Sequence, residues 1–212
     1  MGSDSTWMLK CPFHLPYLKE LFLTFPDATV VWTHRDPVEC IASACSLYET
    51  LAEMGCESWS IDKKAMGKAV LEYTRLCLRR AEQIISEIDQ DCARSGQGKS
   101  PVIHVRYQET IKNPQDICAS ILTQAGVLDG SVTDQIYHRN VEAYVAASTA
   151  KRAKEKTLNK ISPSSGSNPN SDSSAAKTPV LHAYSLEEYG LSVEIVRDTF
   201  KEYTDRYSLV GK

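Results

Sequence analysis

Two residues stand out for the chemistry that their types and spacing allow: Arg35, within Thr33-His34-Arg35-Asp36-Pro37, and Ser43, six residues beyond Pro37. The run Ala28 to Thr33 is rich in β-branched residues and reads as a strand. Asp36 suits a helix cap and Pro37 the first helical position, so Val38 to Glu53 reads as the helix that follows. A strand that ends in arginine and turns directly into a helix is a natural phosphate site. The helix start offers unpaired backbone N–H groups and the positive end of its dipole, and arginine adds a planar fork of donors. Ser43 lies about 9 Å along the helix axis from Pro37, within reach of an anion gripped by a long arginine. The structural alternatives are an ion pair for Arg35 and a back-bond from the Ser43 hydroxyl to the helix carbonyl four residues earlier.

The elements that must position these residues follow from periodicity. Trp7 to Lys10 reads as a short buried strand and His14 to Phe25 as a helix with Pro16 in its first turn. Lys10, at the end of a buried strand, is a site candidate. His14, near a helix start, reads as a polar cap or as a base. A long amphipathic helix is expected from about Ile61 to Ile88, then a polar loop from Asp91 to Ser100. Pro101 to Tyr107 reads as a third strand. Asn113-Pro114 starts a helix that Gly126 ends, and Val132 to about Ala150 reads as helix. Residues 151–178 carry six cations against two acids, a balance of +4, and seven serines and two prolines fill 162–175. That composition predicts a disordered loop, and the basic run 151–160 within it reads as a solvated helix end or, in the sharper reading, as a flexible cationic flap over a bound nucleotide. Ser185 and Glu188 suit a capping box, and a last helix is expected from Ser192 to about Arg206. Strands alternating with helices imply an α/β fold, a parallel sheet between two helical layers, in one domain over residues 1–212.

The 212 residues carry a net charge of −3, which argues against a general nucleic-acid binder. Seven cysteines, an odd count without a Cys-x-x-Cys pair, read as reduced thiols rather than a disulfide framework, and no metal site is expected. No apolar run reaches the roughly 18 residues of a membrane span, and no leader peptide is readable. The corresponding expectation is a cytoplasmic chain without a membrane segment.

Joined in order, Leu9-Lys10-Cys11-Pro12-Phe13-His14-Leu15, Phe25-Pro26-Asp27-Ala28 and Thr33-His34-Arg35-Asp36-Pro37 resemble the sulfotransferase family. The branch it resembles carries Lys-x-Pro-x-His-Leu and Thr-His-Arg-Asp-Pro motifs. The resemblance continues in Tyr107-Gln108-Glu109-Thr110 with Asn113-Pro114, and ends in His182 to Leu191. It implies a P-loop-like α/β fold that uses 3′-phosphoadenosine 5′-phosphosulfate (PAPS) as sulfuryl donor to a small-molecule or glycan acceptor, with no metal. By the same resemblance Arg35 and Ser43 match the pair that holds the 3′-phosphate, and Tyr107 a tyrosine near the adenine. Lys10 and His14 lie in the segment lining the acceptor site and are the candidates for charge stabilisation and base catalysis.

One departure is plain. The Gly-rich phosphosulfate loop that the family carries ahead of this region does not occur in the 212 residues. Gly96-Gln97-Gly98-Lys99-Ser100 ends in a Gly-Lys-Ser triplet, but Ala93 stands where a P-loop needs its first glycine, and the run precedes a strand. The expectation is an N-terminally incomplete, three-layer, helix-rich sulfotransferase domain that is inactive as it stands. The rival is a non-catalytic relative that binds a nucleotide or a protein. A nucleotide-kinase-like enzyme is the weaker third, because no Walker-type loop is present.

Overall fold

The computed structural model describes residues 6–55, 60–95, 100–128, 132–161 and 185–209. Two compact units are formed, residues 1–112 with 184–212 and residues 113–183. Among the described residues the first unit holds a two-stranded parallel sheet, β1 (Val30–His34) and β2 (Val102–Arg106). Val30 pairs with Val102 and His34 with Arg106, so both strands end level. Trp7 to Lys10 is not the expected strand: it is irregular, with Trp7 85% and Leu9 77% exposed. A strand exists only where a neighbour takes up its N–H and C=O groups, and no described residue offers that to this segment.

The expected helix at His14–Phe25 forms as a 3-10 turn, Pro12–Tyr17, followed by α1 (Leu18–Thr24), because Pro16 removes an N–H inside the turn. After β1, Asp36 caps α2 (Pro37–Glu53) by accepting from the Val38 N–H at 2.9 Å, and Pro37 takes the first position. Helix α3 (Lys63–Ser95) outruns its expected end and absorbs much of the polar stretch after Asp91. Exposed i,i+3 and i,i+4 partners support that last turn, with Arg94 bonded to Asp91 and Gln90. After β2 comes α4 (Tyr107–Lys112).

Two apolar clusters hold the first unit together. In one, Ile41, Ala42 and Cys45 of α2 meet Val70 of α3 and the C-terminal residues Leu186, Tyr189, Leu191, Val196 and Phe200. In the other, Leu18 of α1, Trp32 of β1, Ala81, Ile84 and Ile85 of α3, Val102 of β2, Tyr203 and Leu209 pack under the sheet. Gly67 permits the first cluster: a Cβ there would collide with the backbone carbonyl of Tyr189. The chain after Tyr189 turns at Gly190, whose φ of +66° suits glycine. Ser185 bonds Glu187 rather than forming the expected box with Glu188. The last helix is two, α7 (Val193–Thr199) and α8 (Lys201–Tyr207), broken at Phe200, whose buried ring anchors the bend.

In the second unit α5 (Pro114–Gln124) ends at Gly126, φ +72°, and α6 spans Val132–Ile161. Residues 151–161, expected in the loop, are therefore helical. The remainder of that segment, the Gly96–Lys99 stretch, Cys56 and His182 lie outside the described residues.

Candidate functional site

The register of the sheet builds the site. His34 and Arg106 are the last paired residues, so the next residue of each strand, Arg35 and Tyr107, emerge side by side at the C-terminal edge. The Arg35 guanidinium carbon sits 4.6 Å from the centre of the Tyr107 ring, a cation–π contact. Arg35 Nε also donates to Glu39 Oε2 at 2.7 Å, one turn into α2. The terminal nitrogens of Arg35 make no hydrogen bond among the described residues. Its ion pair is exposed, 41% on the arginine and 55% on the glutamate, so exchange for another anion costs little.

Ser43 stands half-buried on α2, and its hydroxyl makes no hydrogen bond among the described residues, so the back-bonding alternative is not realised. Beside Arg35 lies a cleft of about 180 Å³ lined by His34, Arg35, Asp36, Arg106, Gln108 and Lys112, among others. It lies at the carboxyl ends of two parallel strands, where α/β sheets generally take their ligands. Sequence reasoning missed Arg106, Gln108 and Lys112. The available signal was symmetry, since Arg106 ends β2 as Arg35 follows β1. Lys10 and His14 are not brought into this cluster. Both are exposed, Lys10 before the 3-10 turn and His14 within it, and neither has a hydrogen bond or ion pair among the described residues.

Behind the cleft runs a buried polar chain. His34, 1% exposed, meets the Tyr203 hydroxyl at Nδ1 and His104 Nδ1 at Nε2, both at 2.8 Å. Tyr203 has no other acceptor among the described residues, so its hydroxyl donates to His34 Nδ1, and His34 Nε2–H donates to His104. Tyr207 stacks on His34 at 3.7 Å between ring centres, with Trp32 alongside at 4.7 Å. Burial first, and the neighbouring His104 second, push the His34 imidazole down to about 3. Burial likewise lowers His104. A second cleft of about 410 Å³ opens beyond His104, next to Glu82, Asp89 and Arg206. Burial raises the Glu82 carboxyl against the pull of Arg206, whose Nη1 lies 2.9 Å away but out of hydrogen-bond alignment.

Among the described residues no group of three or more potential metal ligands occurs, and no helix is long and apolar enough to cross a membrane.

A model of the Sulfotransferase family matches residues 1–129, and the chain belongs to that family. The crystal structure of the sulfotransferase STF9 from Mycobacterium avium matches with a TM-score of 0.65 at 25% sequence identity, over 98% of this chain and 43% of that one. The fold is accordingly of the P-loop-like α/β kind, rich in helix with a small parallel sheet. The chain spans less than half the length of that relative. No curated protein matches it.

Proposed function

We propose that the edge formed by Arg35, Ser43 and Tyr107 holds the 3′-phosphoadenosine end of PAPS, in a protein that serves sulfuryl transfer to an acceptor hydroxyl or amine. The observation that carries this reading is the placement of Arg35 over Tyr107 at the level ends of β1 and β2. The residues fit such a ligand. The Arg35 terminal nitrogens are uncommitted, the Ser43 hydroxyl has no partner among the described residues, and Tyr107, 36% exposed, offers a ring face to a base. When bound, PAPS supplies an activated sulfuryl group on a phosphate leaving group. Arg35 would trade Glu39 for the 3′-phosphate, and Tyr107 would exchange its cation–π contact for base stacking or keep it as a sandwich. His14 would take the acceptor's proton and Lys10 would offset negative charge at the reacting end.

A second reading, a nucleotide-binding relative without turnover, is favoured by one observation. Lys10 and His14 are exposed and stand without polar partners to orient them. Both readings share the nucleotide site, and calorimetric titration tests it. The chain should bind 3′-phosphoadenosine 5′-phosphate more tightly than adenosine 5′-phosphate, and Arg35→Ala should cost about 1.5–3 kcal/mol, typical of a charge-assisted hydrogen bond. Equal affinity for the two nucleotides would overturn the assignment.

A further inference from the structure

The larger cleft, about 410 Å³, has no part in the nucleotide reading. Glu82 and Asp89 of α3 both line it, seven residues and nearly two turns apart, so their carboxylates project from one helix face. Neither makes a hydrogen bond among the described residues. Glu82 Oε1 is fully buried, and Arg206 Nη1 gives it a charge at 2.9 Å but no aligned donor. A buried acceptor without a donor is uncommon, because its lost hydration is not replaced. Asp89 has no ion pair among the described residues. The opposite wall comes from β2 and α8. His104 is hydrogen-bonded to His34 at Nδ1, and burial holds it neutral, so it adds no cation. Against the two carboxylates stands one guanidinium, Arg206, and Glu202 adds a further negative charge near Glu82. Arg94, farther along α3, is engaged by Asp91 and Gln90. Ile85 and the Tyr207 ring give the same cleft apolar surface.

We propose that this cleft binds a linear aliphatic diamine, one ammonium on Glu82 and the other on Asp89, with the methylene chain against Ile85 and Tyr207. The inference is independent of the nucleotide reading. Seven residues rise about 10.5 Å along a helix axis, and a hydrogen bond of about 2.8 Å at each end leaves about 5 Å between the two nitrogens, the reach of a chain of about three to four carbons. A single ammonium meets one carboxylate and leaves the other alone. A compact dication carries the same charge but cannot span that gap. An ammonium presents three rotatable donors, so it supplies Glu82 Oε1 with the aligned donor that Arg206 does not. The Arg206 side chain is 58% exposed and swings into water at little cost.

The test is a ¹H–¹⁵N NMR titration of the full chain, at about pH 7.5 and low salt, with putrescine and, separately, butylamine. Both are fully charged there, since alkylamines of this kind lose their protons only near pH 10, as lysine does. Putrescine should perturb the signals of Glu82, Asp89, His104 and Tyr207 and bind at least about tenfold more tightly than butylamine, as expected for one added charge-assisted hydrogen bond. Asp89→Asn should abolish that preference and leave butylamine affinity within about twofold of the wild type, because the monoamine needs Glu82 alone. Asp89 is exposed, so the variant keeps its fold. Arg206→Gln should tighten putrescine about three- to tenfold, since it removes the cation that competes for Glu82. A variant that merely loosened the structure would not bind more tightly. Equal affinity for the two amines, a preference that survives Asp89→Asn, or no gain in Arg206→Gln overturns the site. Displacement of putrescine by an equal concentration of magnesium ion overturns it as well, because that result marks a diffuse attraction for any dication.

Discussion

Acid should unfasten the sheet from α8, and His34 sets how much. Its imidazole is held at about 3 in the folded chain against an ordinary value of 6.5. The folded state therefore binds fewer protons than the unfolded state throughout that window. The contribution is fully present above 6.5 and is lost as the pH falls toward 3. At 1.36 kcal/mol per pH unit, lowering the pH from 7 to 4.5 removes about 3 kcal/mol, a large share of the 5–15 kcal/mol typical of a domain. The groups facing His34 are the hydroxyl of Tyr203, the ring of Tyr207 and His104, with Trp32 alongside. None is an anion that could hold the extra proton. His104 shifts the same way. The assay is urea unfolding followed by circular dichroism at half-unit pH steps, on the wild type and on His34→Phe. Phenylalanine keeps a ring against Tyr207 but cannot titrate. The variant should be less stable at pH 7 by about 1–3 kcal/mol, because Tyr203 and His104 lose their partner. It should also show a flatter decline between pH 6.5 and 4.5, and subtracting the two curves removes the carboxylates common to both. Parallel curves would refute the reasoning, because the buried imidazole would then contribute no proton linkage.

Other outcomes follow from the same structure. Gly67→Ala should destabilise by about 1–3 kcal/mol in thermal unfolding, since the new methyl meets the Tyr189 carbonyl. Alkylation with iodoacetamide at pH 8, read by mass spectrometry, should modify exposed Cys11 first and spare Cys40 and Cys45, whose thiols burial pushes up to about 11.

The parts of this fold that are legible in sequence are those governed by local chemistry. Asp36-Pro37 announces the start of α2, Gly126 the end of α5, and the β-branched runs announce β1 and β2. Arg35 and Tyr107 could be singled out one by one, but their contact depends on strand register, which no local pattern fixes. Trp7 to Lys10 misleads for the opposite reason, since an apolar, strand-like run becomes a strand only beside a partner. The extension of α3 to Ser95 and of α6 to Ile161 shows that polar composition alone does not end a helix. The Trp32–His34–His104–Tyr203–Tyr207 stack joins residues 169 positions apart in its longest bond, and Lys112 and Ser208 reach one cleft from separate elements. Neither arrangement leaves a local trace in the sequence.

A crystal structure of the chain soaked with 3′-phosphoadenosine 5′-phosphate decides whether the level ends of β1 and β2 form a nucleotide site. The 3′-phosphate is expected within hydrogen-bond distance of the Arg35 terminal nitrogens and the Ser43 hydroxyl, with the base against Tyr107 and Glu39 released from Arg35. Nucleotide seated instead in the cleft beside Glu82 and His104, with the Arg35–Glu39 pair intact, would contradict it.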